Sequence, residues 1–366
     1  MTKKELLRSI AFVLVVCMML LLLCEVFELD DTTYIPTRFK TFYDLNENTL
    51  DAVWIGTSGV DRYWVSSKAY EEHGMTVFTL SSDAMPTWLF TYVVDEIYKT
   101  QNPEVLIVDI RAFCQTNTVE SKDVRARRLL DAMDPFSINK IRAAFRTMSS
   151  IKDLDPESES FDLSYLLSYI KYHNMWEDDD FSIINNTSDQ KCPYMGFFMR
   201  KSLSIKPKTQ KAKVFDTEYF AELDPYSEES LYEFFDYAEE KGLNVLYVNT
   251  PNHMTKEEIG RTNTICKILE ERGEQFINYC LTDESGDFLL IPELDHVDDF
   301  YNRNHVNYYG AEKFTAVFAE YLNEHFDFED HRTDEAVKEH WDGVYDLIKE
   351  TIKGWEEAAA AKAAEK

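Results

Sequence analysis

Glycine is scarce in this chain, 11 residues in 366. Neither GxGxxG nor GxxxxGKS/T occurs, so the glycine-rich loops that cradle nucleotide phosphates are excluded. Basic charge is also short: 38 Lys and Arg stand against 67 Asp and Glu, a formal net charge of −29. A surface of that sign repels nucleic acid, which is therefore not expected as a partner. The 6 cysteines form no CxxC pair, which removes the usual spacing of a zinc site. No metal and no cofactor is expected. Aromatic residues, in contrast, make up 14% of the chain, enough for one large core.

The N-terminus reads MTKKELLRSIAFVLVVCMMLLLLCEVFELDD, with an unbroken apolar run from Ile10 to Cys24. The run is short for a membrane span and suits the core of a signal peptide as well. No small-x-small cleavage site follows it, so an uncleaved signal-anchor over residues 1–29 is expected, with a cleaved signal peptide as the rival. Lys3, Lys4 and Arg8 precede the run, and the positive-inside rule then leaves the N-terminus cytoplasmic and places the remainder outside. These three basic residues balance Glu5, Glu25 and Glu28, so the net negative charge belongs to the exported part.

After a polar connector at 30–50, short apolar runs alternate with helical patterns. DAVWIGTSG, MTVFTLSS, PEVLIVDIRAF, LNVLYVNTP and EQFINYCL read as strands. The third is apolar nearly throughout, as expected of a strand buried on both faces. Residues 87–99, 226–241, 256–272 and 310–326 carry helical spacing. The expected fold is therefore α/β, a three-layer arrangement with a parallel sheet flanked by helices over residues 51–330. Residues of about 115–225 interrupt the alternation and are expected to form a helical cap insertion over the strand ends. Residues 331–366 carry a stripe of Trp341, Val344, Tyr345, Ile348, Ile352 and Trp355, read as a C-terminal helix docked on the domain or offered to a partner.

Two motifs carry chemistry. Gly56-Thr57-Ser58-Gly59 follows the first strand, where α/β sheets place their sites. In DDFYNRNHVNYYGAEKF, His305 lies on a polar loop before an amphipathic helix, positioned to act as a base for a hydroxyl nucleophile. Each motif alone has an ordinary structural reading.

Together they resemble the SGNH/GDSL hydrolase superfamily, in which the nucleophile follows the first strand in a G-D/T/S-S turn and the base lies near the C-terminus. The stretches TYVVDEIYKTQNPEVLIVDI, YHNMWEDDDF and VNTPNHMTKEE, with the anchor, are similar to the membrane-anchored branch found beside membrane-bound O-acyltransferases and teichoic-acid D-alanylation-type proteins. The resemblance covers roughly residues 50–325. It implies an SGNH/flavodoxin-like fold and an extracytoplasmic serine esterase or O-acyltransferase working on a cell-surface polysaccharide, with a membrane-bound O-acyltransferase as a possible partner. It also implies Ser58 as nucleophile, His305 as base and Asn302 as the residue that orients the imidazole.

The chain departs from that pattern in four places. Asn302 stands where the family has an acid, and Asp298 and Asp299 are the nearby carboxylates that offer a substitute. Gly59 stands where the acyltransferase-linked branch often has histidine. The second oxyanion donor falls on Ser81 or Ser82. No GxND follows the third strand; Asp109 and Arg111 occupy that end, and Arg111 offers either a carboxylate or phosphate contact or a salt bridge with Asp109. His173 and Trp176 are candidates for lining a sugar site, with a cap-to-core contact as the alternative. The neutral amide at 302 also admits a second function, that of a catalytically weak or inactive SGNH-like domain that binds glycan or scaffolds an acyltransferase complex. The acidic surface favours a neutral glycan over a bare polyanion.

Overall fold

The structure is a computed structural model that describes residues 2–26, 35–158, 161–172, 192–199 and 214–364. The candidate sugar contacts His173 and Trp176 lie outside the described residues, as does much of the insertion between them and residue 214. Five strands form one parallel sheet: β1 (Ala52–Gly56), β2 (Val77–Ser81), β3 (Val105–Asp109), β4 (Val245–Asn249) and β5 (Gln275–Asn278). Their spatial order is β2-β1-β3-β4-β5, every neighbour parallel. A two-stranded antiparallel hairpin follows, β6 (Phe300–Asn302) with β7 (His305–Val306).

Alternation along the strands divides the core in two, as successive side chains point to opposite faces. Val53, Ile55, Leu106, Val108 and Tyr247 enter one cluster, with residues of the helices Phe90–Ile97 and Pro225–Lys241. Ala52, Trp54, Ile107, Leu246 and Val248 enter the other, with residues of the helices Ser66–His73 and Tyr308–His325. Both faces are covered, which is why β1, β3 and β4 read as continuous apolar runs. Trp54 anchors the second cluster, with ring centroids of Trp64, Phe314 and Phe318 at 6.3, 6.1 and 5.0 Å. The helices after β1 lie on one face and those after β2, β3 and β4 on the other. The order therefore reverses between β1 and β3, and the carboxyl ends of those two strands flank the crevice where doubly wound sheets bind ligands.

Three parts of the expected organisation change. Within the connector, Ile35–Asp44 is a helix that buries Ile35, Phe39 and Phe42. Of the described helices of the insertion, Val119–Ala132 and Ile138–Leu154 pack on the flank. Leu129, Leu130, Ala143, Ala144 and Met148 share a cluster with Phe39, Phe42 and Phe90, so these two helices thicken one helical layer and do not roof the strand ends. The C-terminal segment holds two helices, Glu335–Trp341 and Val344–Ala364. Trp341 is buried against Tyr70 at 5.5 Å, and Ile348 and Ile352 are buried too.

The N-terminal helix runs from Lys3 to Val26. Its segment Lys3–Cys24 has 22 residues, a mean hydropathy of 2.7 and no buried residue; at its end Cys24 O accepts from Ser168 Oγ at 2.9 Å. At 1.5 Å per residue it is about 33 Å long, enough to cross a bilayer core of about 30 Å. Among the described residues all six cysteines are free.

Candidate functional site

β1 ends in a glycine because no other residue fits there. Gly56 has φ +149, and a Cβ on it would lie 2.3 Å from Cβ of Asp109, at the end of the neighbouring β3. Asp109 is fully buried and clamps the loop that follows. One of its oxygens accepts from the Thr57 amide at 3.1 Å and the Thr57 hydroxyl at 2.5 Å; the other accepts from the Arg111 amide at 3.0 Å. Burial pushes this carboxyl upward, and Arg111 and these hydrogen bonds oppose the shift. Thr57 also caps the four-residue helix Ser58–Asp61, its hydroxyl accepting from the Gly59 amide at 3.2 Å. Asp109 thus holds Thr57 with one oxygen and the turn at Arg111 with the other, a role that the sequence alone does not reveal.

On that loop Ser58 is 8% exposed, and its Oγ lies 2.7 Å from Nε2 of His305 across 247 residues. The imidazole comes from the opposite side, at the start of β7. Asn302 pairs with His305 in the hairpin, and Asn302 Oδ1 lies 2.8 Å from the Asn304 amide and 3.1 Å from His305 Nδ1. A backbone amide only donates, so the Asn302 atom facing it is the oxygen, and the same oxygen requires the proton of His305 on Nδ1. Nε2 then carries the lone pair that faces the Ser58 hydroxyl. Ser58, His305 and Asn302 therefore meet in one chain of hydrogen bonds, with an amide at its end where a triad has a carboxylate. The nearby carboxylate of Asp299 is engaged elsewhere, accepting from the Asp295 amide at 2.6 Å and Lys313 Nζ at 2.7 Å.

The imidazole is held by stacking as well. The Tyr301 ring lies parallel to that of His305, 5.5 Å between centroids and 7° between planes. Arg62 donates to the Tyr301 hydroxyl and lies over the ring of Phe198, 4.5 Å from its centroid. Behind the hairpin, the His253 amide donates to Arg303 O at 2.8 Å, and His253 Nε2 lies 3.2 Å from His296 Nδ1. Burial, then the charges of His296 and Arg303, hold His253 down to about 4, so it is neutral near pH 7.

The expected oxyanion donors fare differently. The Ser82 amide donates to Gly56 O at 3.1 Å, which extends the β1–β2 ladder. Ser81 turns its carbonyl outward to Arg38 Nη1 at 2.5 Å. A strand residue presents its N–H and C=O on the same side, so the Ser81 amide also faces away from β1. Neither amide is directed at Ser58. Arg38 is fully buried, paired with Asp61 at 2.7 Å and donating to Gly196 O at 2.9 Å; it pins the edge of β2 to the segment around residue 196.

Arg111 makes no salt bridge with Asp109. Its guanidinium donates to Thr250 Oγ1 and Asn304 O, both at 3.2 Å, and among the described residues no carboxylate lies within 4 Å of it. Gly59 accommodates this position, since a Cβ there would meet Arg111 Nη1 at 2.7 Å. Tyr63, whose hydroxyl burial pushes far up, holds the same corner through Pro251 O at 2.5 Å and Asn304 O at 2.9 Å. Compared with models of known protein families and with curated proteins, the chain matches none.

Proposed function

We propose that this chain is an SGNH-like serine acyl-transfer protein, an esterase or O-acyltransferase of cell-surface polysaccharide, tethered by its N-terminal helix with the α/β domain outside the membrane. The observation that carries the reading is the 2.7 Å approach of Ser58 Oγ to His305 Nε2, between residues 247 apart, at the crevice where a doubly wound sheet places its site. Ser58 Oγ attacks the ester carbonyl carbon as its proton passes to His305 Nε2. The imidazolium then returns that proton to the departing alkoxide, leaving an acyl group on Ser58. Water or a sugar hydroxyl completes the cycle by the same route. The Ser58 amide, at the first position of its helix where N–H groups have no intrahelical partner, supports an oxyanion contact. A membrane-bound O-acyltransferase is the partner that the resemblance suggests.

Asn302 favours a second reading, an SGNH-like domain with weak or no turnover that binds glycan or scaffolds an acyltransferase complex. The experiment that separates the two is fluorophosphonate labelling of the detergent-solubilised full chain beside its Ser58→Ala variant. Ser58-dependent labelling with turnover of p-nitrophenyl acetate supports the enzyme; absence of both leaves the binding protein.

A further inference from the structure

A pocket of about 400 Å³ opens beside the Ser58–His305 pair, and its lining includes Arg111, Asn304, Glu258 and Arg261. It begins one residue from each partner of the pair: Asn304 precedes His305, and Arg111 abuts Gly59. A groove of about 510 Å³ between β5 and the helix Tyr308–His325, lined by Ile277, Leu290 and Val317 among others, shares no residue with this region. In a chain of net charge −29, the polar pocket has an unusual balance. Among the described residues Arg111 bonds only to neutral oxygens, those of Thr250 and Asn304. Arg261 Nη1 likewise donates to Cys114 O at 3.1 Å and Thr116 Oγ1 at 3.0 Å, and its nearest paired carboxylate, on Glu257, is 3.9 Å away. Its Nε is buried with no hydrogen-bond partner among the described residues. The acid in the lining, Glu258, is already engaged: it pairs with Arg303 and accepts from the Thr255 amide at 2.6 Å. Two guanidinium groups therefore line the pocket with donors in excess of their acceptors.

We infer that this pocket is a subsite for a single anionic group, a carboxylate or phosphate, on the unit that gives or receives the acyl group, with Arg111 and Arg261 as its counter-ions. The inference rests on Ser58 being the nucleophile and narrows the substrate class of that reading. Guanidinium presents a planar set of donors matched to such oxyanions. At physiological ionic strength, charges beyond about 8 Å are largely screened, so the pocket's own charges govern an anion bound there, not the acidic surface at large. The two charge scales fit a unit that is neutral apart from one acidic substituent better than a densely charged polymer.

The test is a thermal-unfolding titration of the full chain in detergent micelles with inorganic phosphate, glucuronate and glucose at matched ionic strength. Binding to the folded state raises the unfolding temperature. The expected result is a rise with phosphate, with glucuronate or with both, which tells phosphate from carboxylate recognition. Glucose should produce none, and the rise should be lost in Arg261→Gln, whose side chain lies at the pocket margin. Arg111→Gln is a second variant with the same expectation, read only if it unfolds cooperatively. No shift with either anion, an equal shift with glucose, or a shift that survives Arg261→Gln overturns the subsite. Ser58 labelling on the same samples separates the two readings: labelling without anion binding removes the subsite alone, whereas anion binding without labelling removes acyl transfer and, with it, the subsite's place on an acyl donor or acceptor.

Discussion

Replacing Asn302 by aspartate probes the point at which the site departs from a Ser-His-acid triad. The hairpin should survive, because a carboxylate accepts from the Asn304 amide as the amide oxygen does at 2.8 Å. The change is one negative charge about 3.1 Å from His305 Nδ1, and it acts on the imidazolium that forms as Ser58 loses its proton. Coulomb attraction at that distance is about 1.3 kcal/mol at the permittivity of water and about 5 kcal/mol at an effective permittivity of 20. His305 is neither fully buried nor fully exposed, and desolvating the new carboxylate offsets part of the gain, so a net of about 2–3 kcal/mol is reasonable. That corresponds to a rise in kcat of roughly 30- to 150-fold.

The rise should fall short of the factor of about 10⁴ separating acid from amide in serine proteases, because that loss includes a wrong imidazole tautomer. Here the Asn304 amide already orients Asn302 so that the tautomer is right, and only the charge is missing. The assay is p-nitrophenyl acetate hydrolysis by the full chain in micelles, with the Ser58→Ala rate subtracted. The acid limb of the pH profile should also move to higher pH, since the carboxylate stabilises the imidazolium. An unchanged kcat in a variant that keeps its fold and its Ser58 labelling would refute the assignment of this hairpin as a general-base loop.

Gly56→Ala should lower stability by about 3 kcal/mol or more in urea unfolding, because a Cβ at φ +149 sits 2.3 Å from Asp109; a loss below about 1 kcal/mol would show that the β1–β3 crossing relaxes easily. Arg38→Leu leaves Asp61 buried beside the less intimate Arg62, 3.9 Å away, and should cost about 3–5 kcal/mol, with Asp61→Asn in the same background recovering part of it. Acidification should also weaken the fold through His253. Its folded value of about 4 lies below the ordinary 6.5, so the unfolded chain binds the extra proton between those limits. Stability is therefore intact above about pH 6.5 and falls towards pH 4, by about 2 kcal/mol once solvent screening is allowed for. His253→Phe should remove that part of the pH dependence, and an unchanged slope would argue against a neutral His253 as the cause.

The central strands were legible because burial on both faces leaves a signature in consecutive residues: β1, β3 and β4 are apolar runs wherever they are met. The helix Ile35–Asp44 leaves a short one: Ile35, Phe39 and Phe42 recur at i, i+4 and i+7 within ten residues, while Arg38 among them resembles a solvent-facing residue. What buries Arg38 is a set of partners 23, 43 and 158 residues away, Asp61, Ser81 O and Gly196 O, and no local window contains them. The packing of two described helices of the insertion has the same origin. Val119–Ala132 and Ile138–Leu154 carry enough charge to suggest an exposed roof, whereas their buried residues join the cluster that also holds Phe39 and Phe42 of that unrecognised helix.

The site divides along the same line. The approach of Ser58 to His305 could be anticipated from sequence because each borders an element with a readable pattern, and sheet topology brings the strand ends and the last hairpin together. Side-chain commitments within that convergence follow from local geometry that no spacing encodes. Asp109 and Arg111 looked like an ion pair because they are two residues apart at a strand end, yet the turn at Ile110–Ala112 separates their charged ends. It directs the carboxylate back to Thr57 and the guanidinium across to Asn304. Ser81 and Ser82 looked like oxyanion donors because they end β2, yet the register that pairs Gly56 with Ser81 assigns the Ser82 amide to the ladder and turns the Ser81 amide away. What frees the space beside Ser58 that Arg111 enters is Gly59, where a Cβ would meet Arg111 Nη1 at 2.7 Å, so the guanidinium that follows β3 becomes part of the wall of the neighbouring pocket.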